Sequence, residues 1–133
     1  MKIIDVEGIG PAYAAKLSKA GIRSVEALLK KGASDRSRKE IAATTGISHV
    51  LILEWVNRAD LYRIKGVGSQ YSDLLENAGV DTVVELSKRV ADNLYGKMVE
   101  VNTAKNLVNG MPGIKQVEGW IKQAKKLPRV VTY

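Results

Sequence analysis

Two glycine pairs are the residues best placed to do chemistry. Val6-Glu7-Gly8-Ile9-Gly10 and Ile64-Lys65-Gly66-Val67-Gly68 share the pattern apolar-x-Gly-apolar-Gly, and each stands immediately before a helical stretch. Backbone N–H groups of such a loop and of the first helical turn lack intrahelical partners, so they can receive an anion, helped by the helix dipole. Glycine lets a phosphate approach the backbone with no Cβ in the way. Ile9 and Val67 then act as apolar plugs that fix each loop between helices. Counter-charge is available from Lys16, Lys19 and Arg23 near the first loop and from Arg63 and Lys65 near the second. The competing readings are a purely structural connection between packed helices and a docking point for another protein.

The two loops belong to an internal repeat. Shifting the sequence by 58 positions aligns residues 6–28 with 64–86, and eight of the 23 positions are identical, among them both glycines of each loop, Tyr13/Tyr71, Leu17/Leu75 and Gly21/Gly79. A self-match of this density points to a duplicated structural unit. Further on the offset becomes 65, pairing Ile52, Trp55, Val56 and Ala59 with Val117, Trp120, Ile121 and Ala124. Those residues fall at i, i+3, i+4 and i+7, one apolar face of a helix, so both tryptophans read as core. The chain therefore divides into repeats at 1–60 and 61–133, the second with a seven-residue insertion near Leu94 to Asn109.

Punctuation supplies the elements that position the loops. Gly10-Pro11 opens a helix that Ala20-Gly21-Ile22 closes, and Gly68-Ser69 opens the matching helix that Ala78-Gly79-Val80 closes. Ser24 and Thr82 read as N-caps, Thr82 with Glu85 as a capping box. Helices from Ser34 or Asp35 to Thr44 and from Ser48 to about Leu61 complete the first repeat. The expected class is all-α. The β-branched ends, residues 2–6 and 129–133, are expected to pair with each other or pack together.

With 133 residues, 45% hydrophobic and 26% charged, the composition is that of a folded domain. Lys and Arg number 21 against 14 Asp and Glu, a net charge of +7 that favours polyanionic partners. The charge is spread, +3 on residues 1–60 and +4 on 61–133. With no cysteine there is neither a disulfide framework nor a thiolate site, and the single His49 has no partner cluster, so no metal and no cofactor is expected. No P-loop lysine, GxSxG elbow or His-Glu-x-x-His appears, which points away from an enzyme. The apolar runs are too short for a membrane span or signal core, and a cytoplasmic location is the default.

The pattern Gly-apolar-Gly-x-x-x-small-x-x-Leu resembles the helix-hairpin-helix motif of DNA ligases, excision-repair nucleases and the Holliday-junction branch-migration protein. Gly8, Ile9, Gly10, Pro11, Ala14 and Leu17 match in the first copy, and Gly66, Val67, Gly68, Ser72 and Leu75 in the second. The whole chain is also similar to a bacterial domain family of unknown function built from such a tandem pair. The resemblance implies hairpin amides that grip DNA phosphates without reading bases, and it permits a monovalent cation on the hairpin carbonyls. Ala12 and Gln70 stand where DNA-binding members often carry Lys or Arg, and Asp5, Glu7, Asp73 and Glu76 lie close by, so modest affinity is expected.

Overall fold

A computed structural model describes residues 1–133 as an all-α protein: one 3-10 turn, Ile3–Asp5, and eight α-helices. The helices are α1 (Pro11–Lys19), α2 (Val25–Lys31), α3 (Asp35–Thr45), α4 (His49–Leu61), α5 (Ser69–Asn77), α6 (Val83–Ser87), α7 (Ala91–Lys105) and α8 (Ile114–Lys126). Two compact units are present, Met1–Asp60 with Val130–Tyr133, and Leu61–Arg129.

The helix ends follow from local chemistry. Ser24, Ser34 and Thr82 cap α2, α3 and α6, their side-chain oxygens accepting from the amides of Ala27, Ser37 and Glu85. The expected capping box at Thr82 is only half made. Glu85 turns its carboxylate to Arg89, whose Nε donates to it at 3.1 Å, an i,i+4 pairing that removes it from the Thr82 amide. Both α1 and α5 end in a Schellman motif: Ile22 donates to the Leu17 carbonyl and Gly21 to Ser18, while Val80 donates to Leu75 and Gly79 to Glu76. The carbonyls of Gly21 and Gly79 are then bound by Lys31 Nζ and Arg89 Nη2, so the repeat extends three residues beyond the sequence match.

In the first unit the core gathers Val6, Ile9, Leu17, Ile22, Leu28, Ile52, Trp55 and Val56, all buried. In the second, α8 packs on α6 and α7, and α5 on α7, around Leu74, Leu75, Val80, Leu86, Met98 and Trp120. The inserted residues lengthen a helix and a loop, since α7 has 15 residues and α3 has 11.

No strand forms, and the two ends of the chain do not pair with each other. Lys2 makes a single antiparallel bridge to Ser24, and the Thr132 amide donates to the Ala33 carbonyl at 2.8 Å. Arg38 explains the second contact. Its buried guanidinium donates to the carbonyls of Gly32, Ala33 and Thr132 and lies 5.9 Å from the centre of the Tyr133 ring. An arginine that must satisfy its donors inside the first unit binds the C-terminal segment more strongly than one extra bridge could.

Candidate functional site

Each glycine loop is a turn followed by an open helix end. The Ile9 amide donates to the Val6 carbonyl at 3.0 Å and the Val67 amide to Ile64 at 3.1 Å, closing turns whose third residues, Gly8 and Gly66, have φ of 90° and 95°. That backbone is the left-handed conformation a type II turn needs at this position, and it favours glycine. Ile9 and Val67 point inward and are 4% and 5% exposed, the role of apolar plugs.

A tryptophan forms the floor beneath each turn. A Cβ built on Gly8 would lie 3.4 Å from Trp55 Nε1, and one on Gly66 would lie 3.0 Å from Trp120 Nε1. Tyr13 and Tyr71 lean on the same indoles, with ring centres 5.1 Å and 5.4 Å apart. The tyrosines are thus partners of the core, and the Tyr71 hydroxyl donates to the Gly110 carbonyl. Gly66→Ala is expected to cost more than the about 1–2 kcal/mol of left-handed strain, because a buried ring must also yield. Gly8→Ala is expected to cost the strain alone. Urea denaturation of the two variants checks the order.

The second glycine of each pair behaves differently. Gly10 and Gly68 are the N-caps of α1 and α5, at φ of −86° and −102°, and a Cβ on either would meet nothing within 4 Å. Neither helix has a side-chain cap. The first helical bonds are Ala14 to Gly10 and Ser72 to Gly68, so the amides of Ala12 and Tyr13, and of Ser69, Gln70 and Tyr71, have no acceptor within the chain. Pro11 supplies no N–H, so the second loop offers one amide more than the first.

The charged residues expected beside the loops are not distributed evenly. Lys16 and Lys19 occupy the last turn of α1, roughly 9 Å and more along the helix from Gly10 at 1.5 Å per residue. Arg23 lies beyond that end and donates to Ser18 Oγ. All three therefore stand at the far end of α1 from its amides. Arg63 donates to the Pro128 carbonyl at 2.6 Å. Lys65 is exposed next to Gly66, and Gln123 holds its backbone from both sides, accepting from its N–H at 2.9 Å and donating to its carbonyl at 3.3 Å. The Gln123 clamp gives no signal in the sequence, because it joins a loop to a helix 58 residues away.

At aligned positions the loops carry opposite charge: Asp5 and Glu7 in the first, Arg63 and Lys65 in the second. The helices that follow reverse this, with Lys16, Lys19 and Arg23 after the first loop and Asp73, Glu76 and Asp81 after the second. Two carboxylates are held below their usual range, Glu26 chiefly by its own backbone amide in the first turn of α2 and Asp35 chiefly by a hydrogen bond from Lys39, both outside the glycine loops. No group of three or more His, Cys, Asp or Glu is gathered as a metal site would need, and no helix is long and apolar enough to cross a membrane.

No curated protein and no solved structure matches the chain. A family model described as Domain of unknown function (DUF4332) matches residues 7–127, a span that takes in all four loop glycines, both tryptophans and all eight α-helices. The chain belongs to that family.

Proposed function

We propose that the protein is a non-catalytic, sequence-independent DNA-binding module whose glycine loops contact phosphates through backbone amides. The observation that carries this reading is the pair of N-cap glycines. Ser, Thr, Asp and Asn are the favoured N-caps, and this chain uses Ser or Thr on α2, α3 and α6, while the glycine that caps α8, Gly113, has its amide taken by Gln116 Oε1. At Gly10 and Gly68 such a residue would fit without contact and would satisfy open amides, yet glycine stands at both. Nothing inside the chain requires glycine there. A phosphate that must reach the amides supplies the requirement from outside. The resemblance to helix-hairpin-helix loops supports the same reading.

The charge exchange between the copies makes the second loop the stronger contact. Lys65 and the extra Ser69 amide favour an anion at Gly68, whereas Asp5 and Glu7 oppose one at Gly10. The exposed lysines of α8, Lys115, Lys122, Lys125 and Lys126, add to the field of the second unit.

Fluorescence-anisotropy titration of duplex, single-stranded and branched DNA over a range of salt tests the proposal. Binding is expected to be independent of sequence and to weaken with salt, with log K falling by roughly 0.9 per neutralised phosphate for each decade of salt on duplex DNA. Binding that ignores salt, or no binding at low salt, would overturn it and leave the loops as structural turns or protein-docking points.

A further inference from the structure

Beside α1 the first unit has an open groove that does not belong to the glycine loop. It encloses about 490 Å³ and is lined by Ile3, Ile4, Ala14 and Ala15, with Lys2 and Arg23 as its charged members and no acid. Ile4 is 46% exposed and, with Ala14 and Ala15 beside it, leaves a short apolar strip facing solvent. Arg23 is fixed rather than free. Its Nε donates to Ser18 Oγ at 3.2 Å, which leaves the two terminal nitrogens of the guanidinium for an outside carboxylate.

In the second copy the aligned positions carry different residues. Ile3 is buried in the first copy as its counterpart Leu61 is in the second, so the burial differs at Ala14, half-buried where its counterpart Ser72 is completely buried. Asp60 and Asp81 align with Lys2 and Arg23, so both cations of the groove stand where the second copy has acids, and Asp73 stands at the position of Ala15. The element before the loop also differs: the 13-residue α4, the last helix of the first repeat, runs into the second loop, and a single 3-10 turn precedes the first. The first copy thus presents cations and small side chains where the second carries acids and a buried serine.

We propose that this groove docks an acidic amphipathic helix from a partner protein. The alanines on α1 let a second backbone come close, and the exposed wall of Ile4 supplies the apolar contact. The α1 wall is nine residues long, about two and a half helical turns, which suits apolar anchors at i and i+4. Arg23 and Lys2 select carboxylates on the incoming helix and reject lysines, so charge sets the specificity. The Ala14 and Ala15 side of α1 is distinct from its open amides, so this site stands whether or not the loops bind DNA.

The test is selection of a phage-displayed library of helical 16-residue peptides against the full-length chain, followed by titration of the best synthesised peptide. Enriched peptides should carry an apolar i, i+4 pair flanked by Glu or Asp. Ala15→Glu, an exposed helical position that CD should show to leave the fold intact, should weaken binding by at least about tenfold. Lys2→Glu should weaken it too, and a peptide with Lys in place of its Glu should recover binding to that variant. DNA titration of the same variants separates this proposal from the one above, because Gly68→Asp should leave the peptide affinity unchanged. Enrichment of no peptide, of basic peptides, or of peptides indifferent to Ala15→Glu would overturn the proposal. So would binding to phosphatidylserine vesicles that Ala15→Glu abolishes while no peptide is selected, since the occupant would then be a lipid surface.

Discussion

Gly10→Asp combined with Gly68→Asp is expected to abolish DNA binding while leaving the protein as stable as before, or slightly more so. Both positions have the extended backbone of an N-cap, and neither offers a steric obstacle to a side chain. Aspartate is a preferred N-cap, better than glycine by a few tenths of a kcal/mol, and its charge suits the positive end of the helix dipole. The same carboxylate would take the amides of the first turn and repel any phosphate approaching them. A hydrogen bond to a charged group is worth roughly 1.5–3 kcal/mol, so each loop that loses its phosphate should cost at least about tenfold in affinity. Gly68→Asp alone should do most of the damage, because its loop carries Lys65 where the first carries Glu7.

Two controls separate this outcome from a general loss of positive charge. Ser48→Asp with Asn93→Asp removes the same net charge at exposed positions in helix N-terminal turns, and it should reduce affinity only through long-range attraction. Gly68→Ser should cap α5 with a neutral group and give an intermediate loss. If the double aspartate variant binds DNA as tightly as the parent, the amides of α1 and α5 are not the contact surface, and the case for phosphate recognition at these loops ends there.

What could be read from the residues and what could not follows the range of the interactions. Helix starts at Ser24, Ser34 and Thr82, stops at Gly21 and Gly79, and the inward plugs Ile9 and Val67 are set by neighbours within five residues, so pattern and spacing reveal them. The capping box at Thr82 failed because Arg89, one turn further along, competes for Glu85. The terminal pairing failed for a longer-range reason. Arg38 looks like one more exposed helix cation in the sequence, and only folding brings its guanidinium to Gly32, Ala33 and Thr132. The placement of Lys16, Lys19 and Arg23 illustrates a different limit. Closeness in sequence suggested counter-charge beside the first loop, but a helix of 1.5 Å per residue carries each of them away from its own N-terminus.

The tryptophans show why both glycines of each pair are needed, for separate reasons. Gly8 and Gly66 serve the turn and clear the indole below it, whereas Gly10 and Gly68 have open space around them and are the positions proposed to meet a phosphate. Trp55→Ala and Trp120→Ala are each expected to cost about 3–5 kcal/mol, since the two rings are 1% and 3% exposed and their loss opens a cavity beneath the loop. Against the about 5–15 kcal/mol that holds most domains together, that is a large fraction. Urea denaturation followed by far-UV CD measures it, because the variants lose part of the fluorescence signal. Coupling provides the sharper check. Gly66→Ala presses a methyl against Trp120 at 3.0 Å, so adding Trp120→Ala should relieve part of its cost, and the double variant should be more stable than the two single losses predict. Stacking on DNA bases would give the opposite pattern: binding lost, stability kept and the two substitutions independent. The burial of both rings under the turns argues for the first outcome, in which the tryptophan fixes the shape of the loop.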